Sequence, residues 1–161
     1  MINKSISIEN AKIVLRNFSG KEGQYNPPGQ RNFCVLLDFD LAKELEHDGW
    51  NVRYFRAKEP DEERQPYLPV KVNYNNFPPK ITVINKSGPT IIDEESVHIL
   101  DWAEVENVDL ILRPYNWEVG GKSGVKAYLK VMYITIVEDE FEKKYRTIPS
   151  PVVDDSDPPW D

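Results

Sequence analysis

The feature that most constrains this chain is a pair of long strand-like runs, Val105 to Val119 and Gly124 to Val137, separated by Gly120-Gly121-Lys122-Ser123. Glycine and serine at such a break supply the positive-φ positions of a tight reversal. Folding the chain so that Val119 faces Gly124 sets Arg113 across from Lys130, Tyr115 from Tyr128 and Trp117 from Lys126. Side chains alternate faces along a strand, so these six project to one side. The other side then carries Val108, Leu110 and Leu112 opposite Leu129, Val131 and Tyr133. One face is aliphatic and suits a core. The other interleaves three cations with three aromatics, the composition of a surface that stacks bases and neutralises phosphates. Cross-strand aromatic pairs also stabilise ordinary hairpins by about 0.2–1 kcal/mol each, so the pattern alone does not decide the matter. Ile111, Met132, Ile134 and Ile136 fall on the polar face in this register, so only its turn-proximal half is expected to be open.

The rest of the chain reads as mostly β. Ser5 to Arg16 alternates in part, and Asn10-Ala11 shifts its phase, as a bulge would. Asn17 to Arg31 is rich in Gly, Asn and Pro and predicts a mobile loop. That loop holds Phe18, Lys21 and Tyr25, with Arg31 at its end, again mixing cations and aromatics. Asn32 to Asp38 predicts an apolar strand with Cys34 as a small buried residue, and Leu41 to Asp48 a short helix capped by Asp40. Strands follow over 51–56, 67–74 and 80–85, with an acidic loop over 57–66. Asp93 could cap a second helix running to Trp102, and Trp50 and Trp102 read as core or hinge residues. Three strands, a helix and a final hairpin match the order of an OB-like five-stranded barrel with one or two short helices. In that fold the first loop and the last hairpin turn flank the ligand groove, which places Lys21, Tyr25 and Arg31 at one end and Lys122 at the other.

Bulk properties narrow the function. At 161 residues the chain suits one domain. Its net charge is −7, but residues 138–161 hold eight acids and three bases, so that −5 resides there and −2 in residues 1–137. A local basic face is therefore compatible with the acidic total. One cysteine excludes an internal disulfide and a cysteine-based zinc site. No signal peptide or bilayer-length apolar run is present, so a cytoplasmic protein is expected. Catalysis finds little support. His47 and His98 lack ligand partners at helical spacing, Asp93-Glu94-Glu95 reads as acids at a helix start, and Gly120-Gly121-Lys122-Ser123 lacks the spacing of a phosphate loop. The reading is of a binding protein rather than an enzyme, with no cofactor and no metal.

Residues 139–161 read as a disordered acidic tail following a domain of residues 1–138. The tail ends in Asp154, Asp155, Asp157, Pro158, Pro159, Trp160 and Asp161. A disordered segment has no packing use for Trp160, whereas an interface anchor does. With the segments Ile13 to Gly23, Arg31 to Asp38 and Arg113 to Val119, this chain resembles phage and prophage single-stranded-DNA-binding proteins, which join an OB-fold domain to an acidic tail ending near an aromatic. The likeness to the T7-like replication type lies in architecture and tail chemistry, and it covers most of residues 6–138. It implies DNA coating in replication or recombination within an infected or lysogenic bacterial host. It also implies replication or recombination proteins as partners of the tail, and leaves self-association open. The residues singled out as DNA-binding are Arg113, Tyr115, Trp117, Lys122, Lys126, Tyr128, Lys130, Lys21, Tyr25 and Arg31; those as partner-binding are Asp154, Asp155, Asp157 and Trp160. The alternative is a phage protein that binds a host protein, as an inhibitor or nucleic-acid mimic, without touching DNA.

Overall fold

A computed structural model describes residues 4–24 and 26–137. Nine strands form one mainly β, OB-like sheet: β1 (Ile6–Ile8), β2 (Lys12–Asn17), β3 (Arg31–Leu36), β4 (Arg53–Tyr54), β5 (Pro66–Val72), β6 (Lys80–Asn85), β7 (Gly88–Ile92), β8 (Val105–Val119) and β9 (Lys122–Ile136). The main path runs β1-β8-β9-β5-β3-β2. Its two ends, β1 and β2, are separated by only three residues in the chain, Glu9 to Ala11. The phase shift expected at Asn10-Ala11 is therefore the point where the barrel closes. Asn10 adopts φ 54°, a left-handed conformation that asparagine tolerates well. Its N–H donates to Asp109 Oδ1 at 2.9 Å, and the Ala11 N–H donates to the Val108 carbonyl at 2.7 Å. Counting β1 and β2 as one bent strand leaves a five-stranded barrel with β3, β5, β8 and β9, in which β5 and β9 run parallel. The β6–β7 hairpin extends it, β6 lying parallel to β9.

The helical elements differ in detail from expectation. Helix α1 spans Phe39–His47, and its N-cap is Asp38 rather than Asp40: Asp38 Oδ1 accepts from the Leu41 N–H at 2.7 Å. The earlier start lets Ala42 and Leu45 face the core. Asp93 does cap a turn, its side chain accepting from the Glu95 and Ser96 N–H groups, but the second helix is only a 3-10 segment, Val97–Asp101. Trp50 is buried as expected, but Trp102 is 52% exposed beside His98. The core takes the inward positions of the barrel strands. Phe18 and Phe33 stack at 5.1 Å between centroids, both essentially inaccessible. Full burial of side chains this large contributes about 1.5–3 kcal/mol each. Phe18 is thus a core residue and not part of the exposed loop mixture.

The terminal hairpin is tighter than the sequence register supposed. Gly120 and Gly121 alone form the turn, with φ 56° and 81°. Two left-handed residues match the twist of the flanking strands, so a longer loop is not needed. Val119 therefore pairs with Lys122, not Gly124, and the register slides by two residues. An even slide conserves faces: Arg113, Tyr115, Trp117, Lys126 and Tyr128 remain on one side, while Leu112, Val125, Ala127 and Leu129 are inward.

A bulge then changes the phase. Leu112 pairs with Leu129 but Ile111 with Val131, which leaves Lys130 as the extra residue. Beyond it Met132, Ile134 and Ile136 face the core, and Tyr133 is 44% exposed. The placement of Val131 and Tyr133 in the core is therefore corrected. Without the bulge, Tyr133 and Thr135 would carry hydroxyls into the core while Met132, Ile134 and Ile136 met water, a costly exchange.

Candidate nucleic-acid interface

The outward side chains of five adjacent strands make a continuous surface. On β8 and β9 the pairs are Arg113 with Tyr128, Tyr115 with Lys126, and Trp117 with Gly124. The Tyr115 and Tyr128 rings meet edge to face at 5.7 Å. Trp117 lies over Gly124, whose missing side chain makes the room: a Cβ there would sit 2.9 Å from the indole. Next to Tyr128, across the parallel β5–β9 pairing, stands Lys71, and next to Lys71 stands Asn32 on β3. Burial together with the neighbouring Lys126 charge holds the Lys71 ammonium below the usual lysine range. Two lysine charges that couple in this way form a site that an anion would relieve.

Beside these strands, toward β2, lies a groove of about 980 Å³. Among the described residues four cations line it, Arg16, Arg53, Lys71 and Lys126, and no acid does. The contrast with the chain's net charge of −7 marks this face as electrostatically distinct. The Arg16 guanidinium is anchored to the Leu100 and Ala103 carbonyls at 2.9 and 2.8 Å, so it contributes field rather than a free hand. Cys34 also lines the groove and is half-buried, not a core residue, because Phe33 and Val35 occupy the inward positions of β3. Burial raises its thiol above the ordinary value, against a smaller opposing effect from Arg53.

The loop between β2 and β3 closes one end. It was expected to be mobile, yet it is cross-tied by its own amides. Asn17 accepts from the Lys21 N–H and donates to the Lys21 carbonyl, while Asn26 donates to the carbonyls of Lys21, Pro27 and Gln30. The Asp101 carboxylate accepts from the Phe18 and Ser19 N–H groups at its start. Lys21 projects from it, exposed. Tyr25 lies outside the described residues, as do Asp154, Asp155, Asp157 and Trp160.

Of the other residues singled out from sequence, Lys122 is exposed at the hairpin tip and Lys130 is exposed on the bulge. Arg31 stands apart from the groove. Strand parity puts it on the Phe33 side of β3, where Nε donates to the Phe18 carbonyl at 2.9 Å and Nη1 meets Glu94 at 3.1 Å. Its guanidinium also lies over Tyr74 at 5.4 Å. Sequence reasoning missed Arg53, Lys71 and Phe77. Lys71 was legible, since it alternates with the inward Val70 and Val72. Phe77 was not: it sits in the β5–β6 turn, and only the fold brings its ring to 5.0 Å from the Arg113 guanidinium. Arg113 in turn lies 5.3 Å over Tyr128.

A basic, aromatic face on an OB-like barrel is the arrangement by which single strands are held. A family model described as "Putative phage ssDNA-binding domain" matches residues 1–157. The chain belongs to this family. Solved structures agree on the fold. The single-stranded DNA-binding protein from bacteriophage Enc34, in complex with ssDNA, superposes with a TM-score of 0.55 at 11% identity, covering 84% of this chain and 88% of that one. The Enc34 protein as a C-terminal truncation gives a TM-score of 0.53 at 11% identity, covering 84% and 87% of the two chains. A further Enc34 structure gives 0.53 at 12% identity, covering 93% and 87%. No curated protein matches the sequence. Among the described residues no helix is long and apolar enough to cross a membrane.

Proposed function

We propose that this phage ssDNA-binding family member coats single-stranded DNA during phage replication or recombination, by binding without chemistry. The observation that carries this reading is the groove lined by Arg16, Arg53, Lys71 and Lys126 and, among the described residues, by no acid, continuous with the Tyr115–Tyr128 face in an otherwise acidic protein. The strand would cross the barrel from β2 to β8. Tyr115, Trp117 and Tyr128 would stack bases, each for about 1–3 kcal/mol. Lys71, Lys126, Lys130, Lys122, Lys21 and Arg113 would meet phosphates, giving affinity that falls with salt. Sequence preference would be weak, since every base offers a π-face.

Residues 139–161 supply a second element. Their charge suits competition with DNA for the basic groove, and Trp160 suits recruitment of a replication or recombination protein once DNA displaces the tail. On this reading residues 1–138 would bind DNA and the protein would act in the host cytoplasm. Fluorescence anisotropy with a labelled thymidine oligonucleotide tests the reading. Salt-sensitive binding that prefers the single strand over duplex supports it, and absence of binding at low salt refutes it in favour of a protein-directed role.

A further inference from the structure

Among the described residues three non-glycine positions hold left-handed backbone: Asn10, Leu15 and Phe77, with φ 54°, 53° and 54°. Barrel closure accounts for Asn10. Leu15 lies at a bulge in β2 and Phe77 in the β5–β6 turn, positions where glycine would carry such a φ without strain. A large side chain in this region crowds its Cβ against the backbone, which is why leucine and phenylalanine rarely adopt it. Burial recovers little from either, because Leu15 is 64% and Phe77 69% exposed. Two costs, strained backbone and apolar surface in water, coincide at both residues.

Both residues also border the cationic face. Leu15 sits at the irregularity of β2 between Val14 and Asn17 and lines the groove with Lys71 and Lys126. Phe77 precedes Pro78-Pro79, which restrict the turn, and its ring rests on the Arg113 guanidinium. Leu15 thus borders the face from β2, and Phe77 borders it from the β5–β6 turn beside Arg113 of β8.

We propose that Leu15 and Phe77 are the apolar ends of the DNA site. Phe77 stacks on a base at the β8–β9 end, extending the column of Tyr115, Tyr128 and Arg113. Leu15 packs against a base at the β2 end. The left-handed backbone at each holds the side chain out of the core and toward the strand. This inference rests on the single-stranded-DNA reading above.

The test compares Leu15→Gly, Phe77→Gly and Phe77→Trp with the parent, by thermal melting and by anisotropy with a thymidine oligonucleotide. Glycine relieves the left-handed backbone and removes the side chain. Each glycine variant should melt near or above the parent yet bind about 5-fold or more weakly, the lower end of a lost stacking contact. Phe77→Trp should bind close to the parent. If the parent binds and both glycine variants bind equally well, the inference is overturned while the DNA reading stands. The inference is likewise overturned if affinity falls only together with a collapse in Tm, or if Phe77→Trp binds as weakly as Phe77→Gly in a folded protein. A parent that fails to bind overturns both.

Discussion

Substituting Gly124 by alanine separates the placement of Trp117 from the stability of the hairpin. The added Cβ would lie 2.9 Å from Trp117 Cζ2 and Nε1 and 3.0 Å from Cε2, whereas ordinary contacts begin near 3.4 Å. A rigid indole cannot yield at one atom, so the whole ring must swing by several tenths of an ångström or more. Because it lies on the outer face, it can do so toward solvent. Losing part of its contact costs about 1–2 kcal/mol, within the usual range for overpacking. Alanine also reduces the freedom of the unfolded chain, returning about 0.4–1 kcal/mol. The net destabilisation by urea unfolding should therefore be at most about 1.5 kcal/mol. If Trp117 stacks on a base from its position over Gly124, single-stranded-DNA affinity should fall by a comparable or larger amount, about 1–3 kcal/mol. Unchanged affinity would refute the stacking role. Destabilisation beyond about 3 kcal/mol, the upper end for overpacking, would refute the claim that the ring is free to move outward.

Further expectations follow from the same face. Tyr128→Ala should weaken binding by about 1–3 kcal/mol with little change in salt slope, whereas Lys126→Ala should flatten the slope by somewhat under one unit, both read by anisotropy across a salt series. Deleting residues 150–161, which carry four acids and no base, should strengthen DNA binding at low salt and less so at higher salt; equal affinity at both ends would refute competition by the tail. Tyr74 is pushed up to about 12, chiefly by burial, and among the described residues its hydroxyl lacks a partner. Its folded pKa lies above the unfolded value of 10.0, so it contributes stability below pH about 10 that is lost as pH rises toward about 12. Tyr74→Phe should abolish that part of the alkaline loss in urea titrations, without destabilising the protein at neutral pH.

Much of this architecture was legible in the chain. The Gly120-Gly121 break, the phase shift at Asn10 and the alternation of Arg113, Tyr115 and Trp117 each point to the physical device observed. Two out-of-phase apolar sets on β9, namely Val125, Ala127 and Leu129 and then Met132, Ile134 and Ile136, could also have announced the bulge at Lys130. Reading them in one phase misplaced Val131 and Tyr133. Strand β7 was missed because it opens with Gly88-Pro89 and is an edge strand paired only to β6, where proline is tolerated. Arg31 shows the other limit. Its charge suggested a phosphate contact, but its engagement with Phe18, Glu94 and Tyr74 depends on segments far apart in sequence. Phe77 meets Arg113 for the same kind of reason, through a turn whose position only the folded barrel defines.

The most direct test of the central claim is the salt dependence of binding to a thymidine oligonucleotide, measured in parallel with duplex DNA of the same length. If Lys71, Lys126, Lys130, Lys122, Lys21 and Arg113 each neutralise a phosphate, log K should fall against log salt with a slope of about −0.7 per contact, or roughly −4 for the six. Single-stranded DNA should bind more tightly than duplex at every salt concentration, because the aromatic face needs unpaired bases. A slope near zero, or a preference for duplex, would contradict the account.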